Sequence, residues 1–190
     1  MNYESTHRKI VERCKQGDQK AQFELYELYA RAMYNLCLRM LKNQPDAEDV
    51  LQNAFIDVFG KLHSFRFESS VGAWIKRIVV NNCINFLKKR RFEILELNEA
   101  ITADEGSEKW KEHAGAGNDQ PAYDIKAIQK AIFNLPQGYR IIFSLYLLEG
   151  YDHEEIAEIL DISISTSKSQ YSRAKKKLRE LLQEQPLALD

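Results

Sequence analysis

Apolar residues recur at steps of three and four along most of the chain, which predicts helices and no strands. Residues 5–15 read as a short helix ending at Gly17. Asp18 suits the N-cap of a second helix running to about Leu41, with Phe23, Tyr26, Ala30, Met33 and Cys37 along one face. Asn43-Gln44-Pro45 interrupts the pattern, and Pro45 fits the first turn of a third helix, where a missing N–H is not needed. Leu51, Phe55, Val58 and Leu62 give that helix its apolar stripe. After a loop at 63–69, Ser70 caps a fourth helix carrying Trp74, Ile78 and Phe86 and ending in the basic run Lys88 to Arg91.

Residues 93–121 break this rhythm. They are rich in Ala, Gly, Glu, Asp and Asn, and AGAGNDQP at 114–121 has the composition of a flexible linker. Trp110 stands alone there; it either docks on a domain or is exposed, and the sequence leaves both open. Periodicity returns near Tyr123. A helix to Asn134, a turn at Leu135-Pro136, and a helix over 137–149 with Gly150 at its C′ position are expected. A short helix from His153 to Leu160, a tight turn at Asp161-Ile162-Ser163 and a longer helix to about Gln183 complete the pattern. The expected fold is all-α: two small helical domains, 1–92 and 123–190, joined by a flexible acidic linker at 93–122, the second domain being a helix-turn-helix.

Composition removes several classes of function. The chain has 190 residues, 44% hydrophobic and 29% charged, which suits folded domains and not a disordered chain. Only 8 Gly and 4 Pro argue against a turn-rich sandwich or barrel. No apolar run approaches the ~20 residues needed to span a bilayer, and MNYESTHRK lacks a signal-peptide core, so a cytoplasmic protein without membrane insertion is expected. Cys14, Cys37 and Cys83 have no CxxC spacing and lie in helical stretches, as small buried apolar residues do.

A formal net charge of -1 conceals a segregation. Residues 66–91 carry seven cations (Arg66, Lys76, Arg77, Lys88, Lys89, Arg90 and Arg91) against Glu68 alone. Residues 163–182 carry six against Glu180, whereas 92–124 carry nine acids against Lys109 and Lys111. Two basic segments flanking an acidic one favour polyanion binding at two places, although a single such stripe is also what a solvated helix face looks like.

Within the last two helices, Ile156, Ala157 and Leu160 can bury against Ile162, Tyr171, Ala174 and Leu178. That leaves Lys168, Ser169, Ser172, Arg173 and Lys176 on the opposite face, a mixture of cations and hydroxyls suited to a major groove. An ordinary helical hairpin with a basic exterior would read the same way. SFRFESS at 64–70 places two aromatics, an arginine and serines in a connection, ahead of a helix presenting Lys76, Arg77, Asn81, Asn82 and Asn85. Aromatics can stack on an unpaired base while polar groups bond its edge, so the segment fits single-stranded DNA; alternatively both phenylalanines are core. DAEDV at 46–50 collects three carboxylates in one helical turn. They complement the helix dipole, meet a basic protein surface, or ligate a divalent metal, and the last lacks further ligands at suitable spacing. His153-Glu154-Glu155 has no second histidine at Ala157, and no phosphate loop, nucleophile elbow or triad is present. A non-enzymatic protein without cofactor or metal is expected.

Together these segments resemble the extracytoplasmic-function (ECF) sigma factors of the bacterial sigma-70 family. The resemblance rests on FELYELYARAMYNLCLRMLKNQPDAEDVLQNAFIDVF at 23–59, FRFESSVGAWIKRIVVNNCINFLKKRR at 65–91 and LPQGYRIIFSLYLLEGYDHEEIAEILDISISTSKSQYSRAKKKLRELL at 135–182. It implies a subunit that binds core RNA polymerase, recognises −35 and −10 promoter elements and promotes DNA melting. Asp46, Glu48, Asp49 and Gln52 would dock on the clamp of the largest polymerase subunit, and the second domain on the flap of the second-largest. Phe65, Arg66, Phe67, Glu68, Ser69 and Ser70 would hold a base flipped from the −10 strand, with Arg77 and Asn81 on that strand. Thr166, Lys168, Ser169, Ser172, Arg173 and Lys176 would face the −35 element. An anti-sigma factor is the implied antagonist. Phe67 stands where many relatives have glycine, and Ser165, Ser167 and Gln170 stand where glycine, valine and arginine are common. Two rivals remain: a dimeric regulator with a helical sensor, which leaves 64–91 unexplained, and a helical adaptor making protein contacts only.

Overall fold

The structure, a computed structural model, describes residues 3–97 and 125–183. Among these it contains α1 (Tyr3–Lys15), α2 (Gln19–Leu41), α3 (Gln44–Lys61), a 3₁₀ turn (Leu62–Ser64), α4 (Val71–Leu97), α5 (Ile125–Asn134), α6 (Gln137–Phe143), a π turn (Ser144–Leu148), α7 (His153–Leu160) and α8 (Ile164–Gln183). None of the described helices is long and apolar enough to cross a membrane.

Side chains set the helix starts, as the sequence suggests. The Asp18 carboxylate accepts from the Lys20 and Ala21 amides at 2.9 and 3.2 Å. It also pairs with Arg13 at 2.7 Å, and that hydrogen bond, with those from the backbone, holds its pKa below the usual carboxylate value. Asn43 caps α3 by accepting from the Asp46 amide at 2.9 Å, with Pro45 in the first turn. Ser70 caps α4 by accepting from the Ala73 amide at 3.2 Å. Two boundaries differ from expectation. α4 continues past Arg91 to Leu97, because Glu-Ile-Leu-Glu-Leu consists of good helix formers with no breaker. It therefore overlaps the first residues of the expected linker; the rest, including Trp110, lies outside the described residues. The helix expected over 137–149 divides, since beyond Phe143 the backbone widens into a π turn with the Glu149 amide bonded to the Ser144 carbonyl. Gly150 follows at φ 78, a left-handed conformation that favours glycine.

The first four helices bury Leu25, Leu36, Met40, Phe55, Ile75 and Val79 between them. Cys14, Cys37 and Cys83 are buried and free. The Cys37 and Cys83 sulfurs lie 3.6 Å apart, and their hydrogen bond, together with burial, pushes the Cys83 pKa far up, leaving an inert thiol. Gly72 lies where α4 meets α2: a Cβ there would stand 2.9 Å from Tyr29 Cε1. The Tyr29 hydroxyl is anchored on His7 Nδ1 at 2.7 Å, so the ring has little freedom to retreat. Helix propensity alone makes Gly72→Ala stabilising by about 1 kcal/mol. Overpacking costs about 1–3 kcal/mol, so the expected outcome is a lowered melting temperature, read by circular dichroism.

In the C-terminal unit α5, α6 and α8 close around Ile132, Leu135, Phe143 and Ala174. The two units also pack on each other, α2 against α6 and α4 against α7. Ile141, Ile142, Leu145 and Ile156 enter the core of the first unit. Arg140, 3% exposed, links the units from within. Its guanidinium donates to the Arg39 carbonyl at 2.8 Å, Met40 at 3.4 Å and Leu135 at 2.7 Å. The first two are unsatisfied carbonyls of the last turn of α2, where partial negative charge gathers. Glu149 pairs with Arg39, and Lys76 donates to the Glu149 carbonyl at 2.6 Å. Two helical units were expected; their extensive contact was not.

Candidate nucleic-acid interface

The loop from Ser64 to Ser70 crosses the N-terminal end of α4, and a cavity of about 280 Å³ opens in it. Ser64, Phe65, Arg66, Glu68, Ser69 and Trp74 line the cavity. It is open to solvent on one side, and its lining combines aromatic rings with hydroxyl, guanidinium and carboxylate groups. The expectation that two aromatics are displayed for stacking needs correction. Phe65 is 4% exposed, with ring centroids 4.9 Å from Phe67 and 5.1 Å from Trp74, so it serves as a wall of the cavity. Phe67 is half-buried and does not line the cavity. It adopts φ 60, which costs a bulky L-residue about 1–2 kcal/mol and which glycine takes freely. The loop thus keeps the backbone shape a glycine would permit and adds a ring. Ser70 is occupied as the α4 cap, whereas Arg66, Glu68 and Ser69 are exposed.

Along α4, Arg77, Asn81, Asn85 and Lys88 are exposed at helical spacing and form a stripe leading from the loop. Two residues expected beside them are spent elsewhere. Lys76 joins the two units, and Asn82 donates to Asp57 at 3.0 Å and to the Ile78 carbonyl at 3.1 Å. On α3, Glu48, Asp49 and Gln52 are exposed on one face, but Asp46 pairs with Arg90 at 2.7 Å and is not a free carboxylate. Ile56, 69% exposed one turn beyond Gln52, extends that face and escaped the sequence reading because it also fits a core stripe.

α7, the turn at 161–163 and α8 form the expected helix-turn-helix. Asp152 and Glu155 make a capping box at the start of α7, Asp161 turns the chain at φ 58, and Ser163 caps α8 by accepting from the Thr166 amide at 3.0 Å. Lys168, Ser169 and Lys176 are exposed on α8, and Ser172 and Arg173 are half-buried beside them. The Thr166 hydroxyl is 2.8 Å from that of Ser163, so its first role is to order the turn. Ser167 is fully buried and meets His153 Nδ1 at 2.9 Å. The His153 ring stacks on Tyr146 at 4.4 Å. Burial first, then the positive charges of Lys168 and Lys175, lower the His153 pKa against the opposing pull of Asp152. The unfolded chain therefore takes up this proton more readily than the folded one. Its contribution to stability is present above the unfolded value of about 6.5 and is lost as pH falls through the folded value. Melting temperatures from pH 8 to pH 5 are expected to fall on the acid side, with a shallower slope in His153→Gln.

The Sigma-70 region 2 family matches residues 25–93 and the Sigma-70 region 4 family residues 125–178. The chain is 32% identical over 188 residues to the ECF RNA polymerase sigma-E factor of Escherichia coli (strain K12), covering 96% of this chain and 97% of that one. It is 29% identical over 182 residues to the ECF RNA polymerase sigma factor SigW of Bacillus subtilis (strain 168), covering 93% and 97%. Among solved structures, the sigma factor RpoE in complex with the anti-sigma factor NepR from Bartonella quintana has a TM-score of 0.55 at 24% identity, covering 84% of this chain and 95% of that one. CnrH in complex with the cytosolic domain of CnrY has a TM-score of 0.55 at 21% identity, covering 94% and 98%. The helical pair of units, the loop over α4, the helix-turn-helix and these matches agree: the chain belongs to the ECF sigma factors of the sigma-70 family, factors of transcription initiation by RNA polymerase.

Proposed function

We propose that the protein binds core RNA polymerase, recognises −35 and −10 elements with its two units, and stabilises melted DNA by holding an unpaired base in the 64–70 loop. The observation that carries this is the cavity at the start of α4, continued by the stripe Arg77, Asn81, Asn85 and Lys88. Polar edges and cations in that order suit a captured base followed by its strand. Melting costs roughly 1.4 kcal/mol per stacked step. A site that holds the open strand and not the duplex shifts the equilibrium by that difference in affinity, with no bond made or broken. The chain acts as a binding subunit and not as a catalyst.

Glu48, Asp49 and Gln52, with Ile56, offer the polymerase clamp an acidic face with an apolar edge, and the C-terminal unit engages the flap. Lys168, Ser169, Arg173 and Lys176 enter the −35 major groove. Family membership supports an anti-sigma antagonist. The two elements lie roughly 25 base pairs apart, or about 85 Å of duplex at 3.4 Å per pair. A compact chain of this length has a radius of gyration of about 16 Å. The contact between units must therefore open before both elements are held at once.

Run-off transcription with core polymerase on a pool of randomised promoters tests this reading. Transcripts initiating downstream of paired −35 and −10 motifs are expected. Absence of specific transcripts, with no co-purification with core polymerase, would overturn it.

A further inference from the structure

Two cations on α1 converge on the ring that holds the loop. Arg8 and Lys15 are two helical turns apart, and their charged groups lie 4.7 and 4.8 Å from the centroid of Phe67. The Lys15 ammonium also donates to the Phe65 carbonyl at 2.5 Å. Phe67 packs on Phe65, and Phe65 packs on Trp74 across the cavity wall. Neither Arg8, Lys15 nor Phe67 lines the cavity. A continuous chain of contacts nevertheless runs from α1, through a residue held at φ 60, to the wall a base would meet.

We propose that α1 is a strut of the base-reading loop: Arg8, Lys15 and Phe67 are positioning residues that fix the cavity's shape and so set how strictly it selects among bases. This rests on reading the loop as the site of base capture. The physical reason lies in the backbone. Glycine at this position would let the loop sample several conformations. Phenylalanine in the left-handed region narrows the choice, and cations over its face hold the ring in place. The electrostatic attraction survives partial exposure, which suits a loop that must remain open to a strand. A packing role alone would affect all promoters equally; a positioning role changes the ratio between them.

The test uses the full chain with core polymerase on four promoters differing only at the captured position, located by 2-aminopurine fluorescence along the −10 strand. Arg8→Gln with Lys15→Met, both at exposed sites, removes the two cations from the Phe67 ring and the donor from the Phe65 carbonyl while leaving every apolar core side chain in place. Phe67→Gly removes the ring and relieves the backbone, and Phe67→Tyr restores a ring. The double variant and Phe67→Gly are expected to lower the ratio of preferred to other bases about fivefold, the size of two exposed cation–π contacts, with Phe67→Tyr close to wild type. Ratios within twofold of wild type in variants with native melting temperatures would overturn the proposal, as would an equal drop on all four promoters. A wild-type protein that used all four bases equally would instead overturn the base-capture reading, and the strut with it.

Discussion

Replacing Lys168 and Arg173 together by alanine is expected to lower transcription from a −35-dependent promoter by thirtyfold to a thousandfold. Each side chain bonding a base edge contributes about 1–3 kcal/mol, and two such losses at the low end already amount to roughly thirtyfold. The fold is expected to survive. α8 is held by Ala174, Leu182 and the buried Ser167, while Lys168 is exposed and Arg173 half-buried. The two positions need not act alike. A cation on a phosphate weakens all sequences and reduces the salt slope by about one, whereas a cation on a base edge relaxes selectivity at one position. Single variants tested against point-mutated −35 elements at several salt concentrations separate the two. Unchanged transcription by the folded double variant would remove α8 from the promoter and favour a protein-only role for its basic face.

The second large effect is expected at Arg140. Arg140→Met should destabilise the free protein by about 3 kcal/mol, measured by urea denaturation. The guanidinium is buried and donates to three carbonyls, two of them at the C-terminal end of α2. Hydrogen bonds from a charged donor contribute about 1.5–3 kcal/mol each, and a buried carbonyl left without a partner costs about 1–3 kcal/mol. These terms overlap, which keeps the total well below their sum. Arg140→Lys is expected to recover only part of the loss, because one ammonium cannot imitate the planar fork. Burial pulls the Arg140 pKa down from its ordinary value, yet an arginine stays charged in a protein, so the carbonyls meet a cation throughout the accessible pH range. Glu149→Ala removes the ion pairs of its carboxylate with Arg39 and Lys76 and leaves the Lys76 bond to the residue 149 carbonyl in place. On the proposed reading, in which the units separate to hold both promoter elements, it is expected to loosen the free chain while leaving holoenzyme transcription undiminished. A variant as compact as wild type by small-angle scattering would count against Glu149 as a link between the units.

These two expectations differ in how much of them could be read from the residues in order. Lys168, Ser169, Ser172, Arg173 and Lys176 were legible as one face because helical spacing alone places them opposite Tyr171, Ala174 and Leu178. Arg140 was not, because an arginine in an apolar helix reads as an exposed residue until its distant carbonyl partners are known. The loop lies between these cases. SFRFESS suggested a base-binding connection, but the sequence did not show that Phe65 lines the cavity and Phe67 packs outside it against Arg8 and Lys15, nor that Trp74 completes the wall. Asp46, Asn82 and Lys76 looked available and proved to be engaged by Arg90, Asp57 and Glu149. Each partner lies at least 25 residues away, beyond the reach of any local pattern.

The sequence by itself determined the helices, the caps at Asp18 and Ser70, the all-α class, the segregation of charge and the polar, cationic side of α8, because these depend on neighbours within one or two turns. Tertiary structure alone decided which polar groups remain available to a partner, how α1 braces the 64–70 loop, and that the two units share a core. Those outcomes depend on side chains brought together from distant parts of the chain, where burial and pairing are settled only once the helices have packed.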